Sequence, residues 1–228
     1  MAELVKNQKD RDVIRLVLDG TIVLFVLSSS LWMALGKNGA LTQNGWEMFK
    51  FFTVLSNLFV GLTSLLEIPF LVLCLKKKKE DVPFWTLLAS YCSTVSIFIT
   101  LCTVLFFLGP TNALHGGSYF SIFTGPNFFM HLLTPLLSLI NFVFFHRSIK
   151  MSFQWTALPL VSVVLYGAYY LIQLKIHDSF GKADYDWYGF TASPIPWPAF
   201  LIIFLMASYF LSAFLFLVTG LKKKREIN

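Results

Sequence analysis

"FFTVLSNLFVGLTSLLEIPFLVLCLKKKK", residues 51–79, decides how the rest of the chain is read. From Phe51 to Leu75 it carries one charged residue, Glu67, and it stops at a run of four lysines. A helix needs roughly 20 mostly apolar residues to cross the hydrocarbon core of a bilayer. This stretch meets that length, and its lysines suit a headgroup-level stop. The polar residues inside it raise a second question. Thr53, Ser56 and Asn57 fall on adjacent turns near its start, where a purely lipid-facing helix has no use for them.

Working outward, the same pattern recurs. The 228 residues are 56% hydrophobic and only 13% charged, with 25 phenylalanines. Soluble domains carry about a quarter charged residues, so a globular soluble protein is excluded. Six segments are long and apolar enough to span, near 13–36, 49–75, 84–109, 127–146, 153–174 and 197–220. The expected fold is all-α, a single polytopic bundle of six transmembrane helices over residues 1–228. The first segment exceeds the apolar part of a signal peptide and is followed by no convincing cleavage site, so it is expected to remain as an anchor.

Basic residues set the expected orientation. Lys6, Lys9, Arg11, Arg15, Lys76, Lys77, Lys78, Lys79, Arg147, Lys150, Lys222, Lys223, Lys224 and Arg225 fall on one side of the spans, fourteen of the 18. Lys37, Lys50, Lys175 and Lys182 fall on the other. The positive-inside rule then puts both termini in the cytoplasm of a multi-pass cell-membrane protein. The net charge of +6 is accounted for by topology, which argues against a nucleic-acid partner. Trp46, Trp85, Trp155 and Trp197 flank spans as interfacial anchors, and His146 and Arg147 are expected at the inner headgroup level. Cys74, Cys92 and Cys102 show no metal-type spacing and are expected to pack; no metal site and no cofactor are expected. Two longer loops, 110–126 and 175–196, are read as either covers over the outer mouth of the bundle or loose connections.

The candidate chemistry rests on depth. With a rise of about 1.5 Å per residue, Thr53 and His131 each sit about one turn into spans two and four, which run in the same direction. A threonine hydroxyl becomes a nucleophile when a base removes its proton. A neutral imidazole can accept it. Asn57, one turn below Thr53, is a candidate donor to a developing oxyanion, with Ser56 and Thr134 as supporting residues. Pro135 frees a backbone carbonyl beside this stripe. The competing reading makes the same groups interhelical hydrogen-bond partners with no chemistry. Asp19 and Glu67 are costly in a bilayer, about 2.5–3.5 kcal/mol each at mid-depth if lipid-facing. They are expected inside the bundle or near the inner surface, with Arg15 as an ion-pair partner of either Asp19, four residues on, or Glu67, and an ion or proton path as the second reading.

Two motifs, "FKFFTVLSN" (49–57) and "FFMHLLTPLLSLINFVFF" (128–145), resemble the androgen-induced protein superfamily. Its animal members are six-span hydrolases of fatty acid esters of hydroxy fatty acids, and this chain looks closer to the bacterial branch. The resemblance implies Thr53 as nucleophile, in the Lys50–Thr53 setting, and His131 as base. Asn141 stands where many relatives would have an acid. The implied function is hydrolysis of lipid (fatty acyl) esters near the outer leaflet, with membrane lipids or an acyl-chain substrate as partner. Two alternatives follow from the residues alone: a small transporter or channel using Asp19, Glu67, Asn57, Asn141 and His131, or a non-catalytic lipid-binding membrane protein.

Overall fold

Six apolar runs give six helices long and apolar enough to cross a membrane, among the residues that the structure, a computed structural model, describes. Those residues are 8–36, 45–78, 81–146, 151–178, 185–191 and 196–227, side chains excepted for 221–227. The helices are α1 (Gln8–Leu35), α2 (Phe52–Leu75), α3 (Phe84–Leu114), α4 (Pro126–Phe145), α5 (Phe153–Ile176) and α6 (Trp197–Ile227). No strand occurs among the described residues. Lys6, Lys37, Lys79, Arg147, Lys150, Lys182 and the side chains of Lys222 to Arg225 lie outside the described residues.

Helix ends follow local chemistry. At the end of α2, Lys77 adopts a left-handed conformation (φ 55°) and the Lys78 N–H turns back onto the Leu73 carbonyl at 2.9 Å. This closes the last turn, and the lysines complement its negative dipole end. The α3 helix runs five residues beyond the expected 84–109, through Leu114. Pro110 does not stop it, because the preceding turn, Val104–Leu108, is widened to the π form. The Gly109 N–H reaches back to the Val104 carbonyl. That leaves the Leu105 carbonyl without its helical donor, and the Tyr119 hydroxyl supplies one at 2.9 Å. Segment 115–125 is therefore tied to α3, not loose. Asn112 adds bonds to the Ser118 carbonyl (2.7 Å) and the Ser121 hydroxyl (2.9 Å).

The chain packs as two compact units, Met1–Lys150 with Val218–Asn228, and Met151–Leu217. The first unit buries many polar residues beside its apolar core and turns other large apolar side chains outward. Asp12, Arg15, Asp19, Ile22, Val26, Ser29 and Met33 form the buried stripe of α1, while Val17, Leu24, Leu27 and Leu31 are exposed. The three-and-four spacing puts that stripe on one helical face. In lipid, apolar burial gives little drive for helix association, so close packing and hydrogen bonds must hold the helices. Both are present. A Cβ added at Gly61 would lie 2.9 Å from Val26, so glycine lets α1 and α2 approach. Ser56 bonds Thr100 at 2.8 Å, Thr63 bonds Ser93 at 2.8 Å, and Thr94 bonds Ser138 at 3.1 Å, stitching α2 to α3 and α3 to α4. Such contacts are worth about 0.6 kcal/mol each on average in a membrane.

In the second unit, Ser212 of α6 donates to the Thr156 carbonyl of α5 at 2.7 Å. Residues 185–191 are gathered around Asp186, which accepts from the Tyr170 hydroxyl, the Phe190 N–H and both donors of Thr191. Gly189, at φ +68°, makes the turn that returns its N–H to the Asp186 carbonyl. Burial alone would push the Asp186 carboxyl up. Hydrogen bonds from Thr191, Tyr170 and Phe190 outweigh it and hold the group below the ordinary carboxylate range. A depressed folded value contributes stability that is complete above the unfolded value of roughly 3.9 and is lost as pH falls through the folded one. Loosening of this turn is therefore expected only below about pH 4. Fluorescence of Trp187, whose indole bonds Tyr166 at 3.0 Å, should report it. A transition centred above about pH 5 would contradict the assignment.

Candidate functional site

The sequence-derived pair, Thr53 and His131, lies in the first unit, both buried. Thr53 is in the first turn of α2, which starts at Phe52 with no side-chain cap. The positive end of the helix dipole therefore falls on this turn. His131 is in the middle of a π-type turn, Phe129–Leu133. Pro135 explains the wide turn. Its missing N–H and its ring exclude an ordinary bond to the His131 carbonyl four residues back. The Thr134 N–H reaches the Phe129 carbonyl instead, which strands the Met130 carbonyl. Wide turns of this kind recur at functional sites.

The Asn57 amide fills that vacancy. Its Nδ2 donates to the Met130 carbonyl at 3.0 Å and to the Thr53 carbonyl at 2.7 Å. One side chain thus joins the turn holding Thr53 to the turn holding His131. Packing of Met33, Met48, Val54 and Met130 closes the same level. The expected oxyanion role of Asn57 does not survive this geometry. Both its N–H groups are engaged by carbonyls, and only Oδ1, an acceptor, has no partner. Ser56 is likewise occupied, donating to the Thr53 carbonyl at 3.0 Å and bonded to Thr100. Both residues position the helices.

The His131 ring is oriented from the 115–125 segment. Nδ1 lies 2.8 Å from the Ile122 carbonyl. A carbonyl only accepts, so Nδ1 carries the proton, and the neutral ring keeps its lone pair on Nε2. Nε2 is buried and has no partner. Thus no hydrogen bond joins His131 to Thr53. Sequence reasoning found the imidazole but missed its orienting group, which is a main-chain carbonyl with no residue-type signal. The Thr134 hydroxyl, one turn on, is also buried and without a partner. Phe123 sits edge-on to the imidazole, ring centroids 6.4 Å apart.

A second polar cluster lies about four turns further along α2. Arg15 Nη2 pairs with Glu67 Oε2 at 2.9 Å, both residues fully enclosed. Ser90 donates to Glu67 Oε1 at 2.7 Å. Asp19 Oδ1 accepts from Ser64 at 2.9 Å and from Asn141 at 2.8 Å. Of the two acids open as partners of Arg15, Glu67 is the one that pairs with it. His146 is corrected from headgroup anchor to interior residue: it is buried, packs on Phe142 with centroids 4.8 Å apart, and sits 3.4 Å from Arg15 Nη2. Asn141 opens another wide turn, Asn141–Phe145. The hydroxyls of Ser90, Ser93, Thr94 and Thr100 drew no attention in the sequence. Their three-and-four spacing along 84–103 was the available signal.

Outside this unit, His177 stacks on Tyr185 at 3.6 Å, and in the first unit His115 is exposed with Nδ1 2.8 Å from the Thr111 carbonyl. Among the described residues, no group of three or more His, Cys, Asp or Glu has metal-binding geometry. The chain matches no protein-family model, no curated protein and no solved structure.

Proposed function

We propose that this chain is a multi-pass cell-membrane hydrolase of fatty acyl esters, with Thr53 as nucleophile and His131 as base. Both termini face the cytoplasm in this reading, and the Thr53 end of the first unit faces the outer leaflet. The observation that carries it is the buried Nε2 of His131, held as a lone-pair acceptor by the Ile122 carbonyl and without a protein partner. Asn57 ties the adjoining backbone to the turn of Thr53.

The chemistry follows from these roles. The ester carbonyl of a lipid seats between the two helices. His131 Nε2 takes the hydroxyl proton as Thr53 Oγ1 bonds to the acyl carbon. Collapse of the tetrahedral intermediate breaks the ester C–O bond, and the same proton passes from Nε2 to the departing alkoxide. Water then attacks the acyl-threonine, giving its proton to Nε2. The fatty acid leaves, and Thr53 Oγ1 recovers a proton. The Val54 and Leu55 N–H groups are held by the Phe51 carbonyl, so the Thr53 N–H and the positive end of the α2 dipole supply the donor that Asn57 lacks. The resemblance to the androgen-induced protein superfamily points to the same pair and to long acyl chains.

Labelling of the detergent-solubilised protein with a fluorophosphonate or acyl-type probe tests this. Mass spectrometry is expected to find the adduct on Thr53, and Thr53→Ala is expected to remove it. An adduct on another residue would overturn the assignment. Failure of every probe, with lipid copurifying, would leave lipid binding without chemistry.

A further inference from the structure

The cluster around Glu67 carries a charge imbalance that ester hydrolysis does not use. Arg15, Asp19 and Glu67 are all buried to within 1% of full enclosure. One guanidinium faces two carboxylates, so the three ionised groups sum to one excess negative charge. An uncompensated charge in an apolar interior is strongly destabilising. His146 Nε2 lies 3.4 Å from both Arg15 Nη2 and Glu67 Oε2. Taken as the acceptor of an Arg15 N–H, the ring is neutral and leaves the excess charge in place. From α3 the cluster is faced by Ser90, Ser93 and Thr94, none of which is charged.

The same place offers oxygen ligands. Asp19 Oδ1 accepts two hydrogen bonds, and Asp19 Oδ2 accepts none. Asn141 directs its N–H group at Asp19, which turns its Oδ1 elsewhere, again without a partner. Both side chains, 1% and 4% exposed, line a small cavity together with Ser64, Ser90, Thr94 and Ser138. The space open to the centre of a water-sized particle is about 10 Å³, enough for a single small occupant. Ser64 and Ser90 point their protons at carboxylates, and Thr94 and Ser138 share one between them. Each hydroxyl oxygen therefore keeps lone-pair capacity. A carboxylate, an amide carbonyl and hydroxyls form a hard oxygen donor set.

We propose that the first unit binds one sodium ion between α1 and α4, ligated chiefly by Asp19 Oδ2 and Asn141 Oδ1 and completed by the neighbouring hydroxyls. A single positive charge balances the cluster, whereas a divalent ion overshoots it. The site stands apart from the Thr53–His131 pair and does not depend on the hydrolase reading.

Thermal unfolding of the full chain in detergent, with sodium chloride exchanged for choline chloride at constant ionic strength, tests the site. Sodium is expected to raise Tm with the logarithm of its concentration above the dissociation constant, by about 5–11 °C at 100 times that constant. Radiolabelled sodium is expected to bind as a single ion per chain. Asp19→Asn should remove both effects. Ser138→Ala, a milder change, should raise the half-saturating sodium concentration by roughly tenfold, and it serves if Asp19→Asn does not fold. Choline acting as well as sodium would overturn the proposal. So would unchanged sodium affinity in the variants that fold. Stabilisation by acid with no sodium dependence at any pH would also overturn it, since a proton would then neutralise the cluster.

Discussion

His131→Ala is expected to lower fatty acyl ester turnover by about 10²–10⁴-fold, the usual contribution of a positioned general base. The loss should appear in kcat more than in KM. The proton that Nε2 accepts moves only as the Thr53 oxygen attacks, so the contact is stronger in the transition state than in the bound ester. Thr53→Ala should abolish the acyl-enzyme altogether, and Thr53→Ser, which keeps a hydroxyl, should still form it. The orienting bond makes the expectation specific. Nδ1 is held by the Ile122 carbonyl at 2.8 Å, so the ring needs no carboxylate to present Nε2. The absence of an acid at position 141 is then no obstacle to catalysis. Steady-state hydrolysis of a chromogenic fatty acyl ester in mixed micelles provides the measurement. Undiminished turnover in His131→Ala would remove the histidine from the mechanism.

Glu67→Gln is expected to destabilise the protein by about 3–5 kcal/mol, because it strands the Arg15 guanidinium in the interior. For a chain of this size that corresponds to a drop in Tm of about 6–20 °C. The cost arises from the broken partnership more than from the pair's net worth. Replacing both partners by methionine should recover most of the loss, since apolar packing of similar volume commonly matches a buried ion pair. Arg15 has further N–H groups, on Nε and Nη1, with no protein acceptor, so Glu67 is its main compensation. Thermal unfolding of the single and double variants in detergent distinguishes these cases. A wild-type Tm for Glu67→Gln would mean that water, not Glu67, solvates Arg15.

Which of these features were legible beforehand depended on how local their causes are. Span positions were, because each follows from a continuous apolar run; five of the six first residues fall within three positions of the expected ones. The exception, α1, begins at Gln8, five residues early, as its first turns are polar helix ahead of the apolar run. The α3 extension through Leu114 was not legible. Pro110 normally argues for a boundary, and only a widened turn with a distant Tyr119 hydroxyl to satisfy Leu105 lets the helix continue. The assignment of Asn57 failed for a related reason. Its two donors are consumed by carbonyls on different helices, one of them stranded by Pro135 in α4.

The amino-acid order by itself determined an all-helical chain with six membrane-length apolar segments, and it singled out an alcohol and an imidazole at matching depth. Helical periodicity and hydropathy act over neighbouring residues, so they can be read along a line. Tertiary structure alone decided which nitrogen of His131 carries the proton, that Arg15 pairs with Glu67, that His146 turns inward, and that Asp19 and Asn141 keep unmatched oxygens around one cavity. Each of those outcomes is a competition among donors and acceptors far apart in the chain, and it is settled only when packing brings them within about 3 Å of one another.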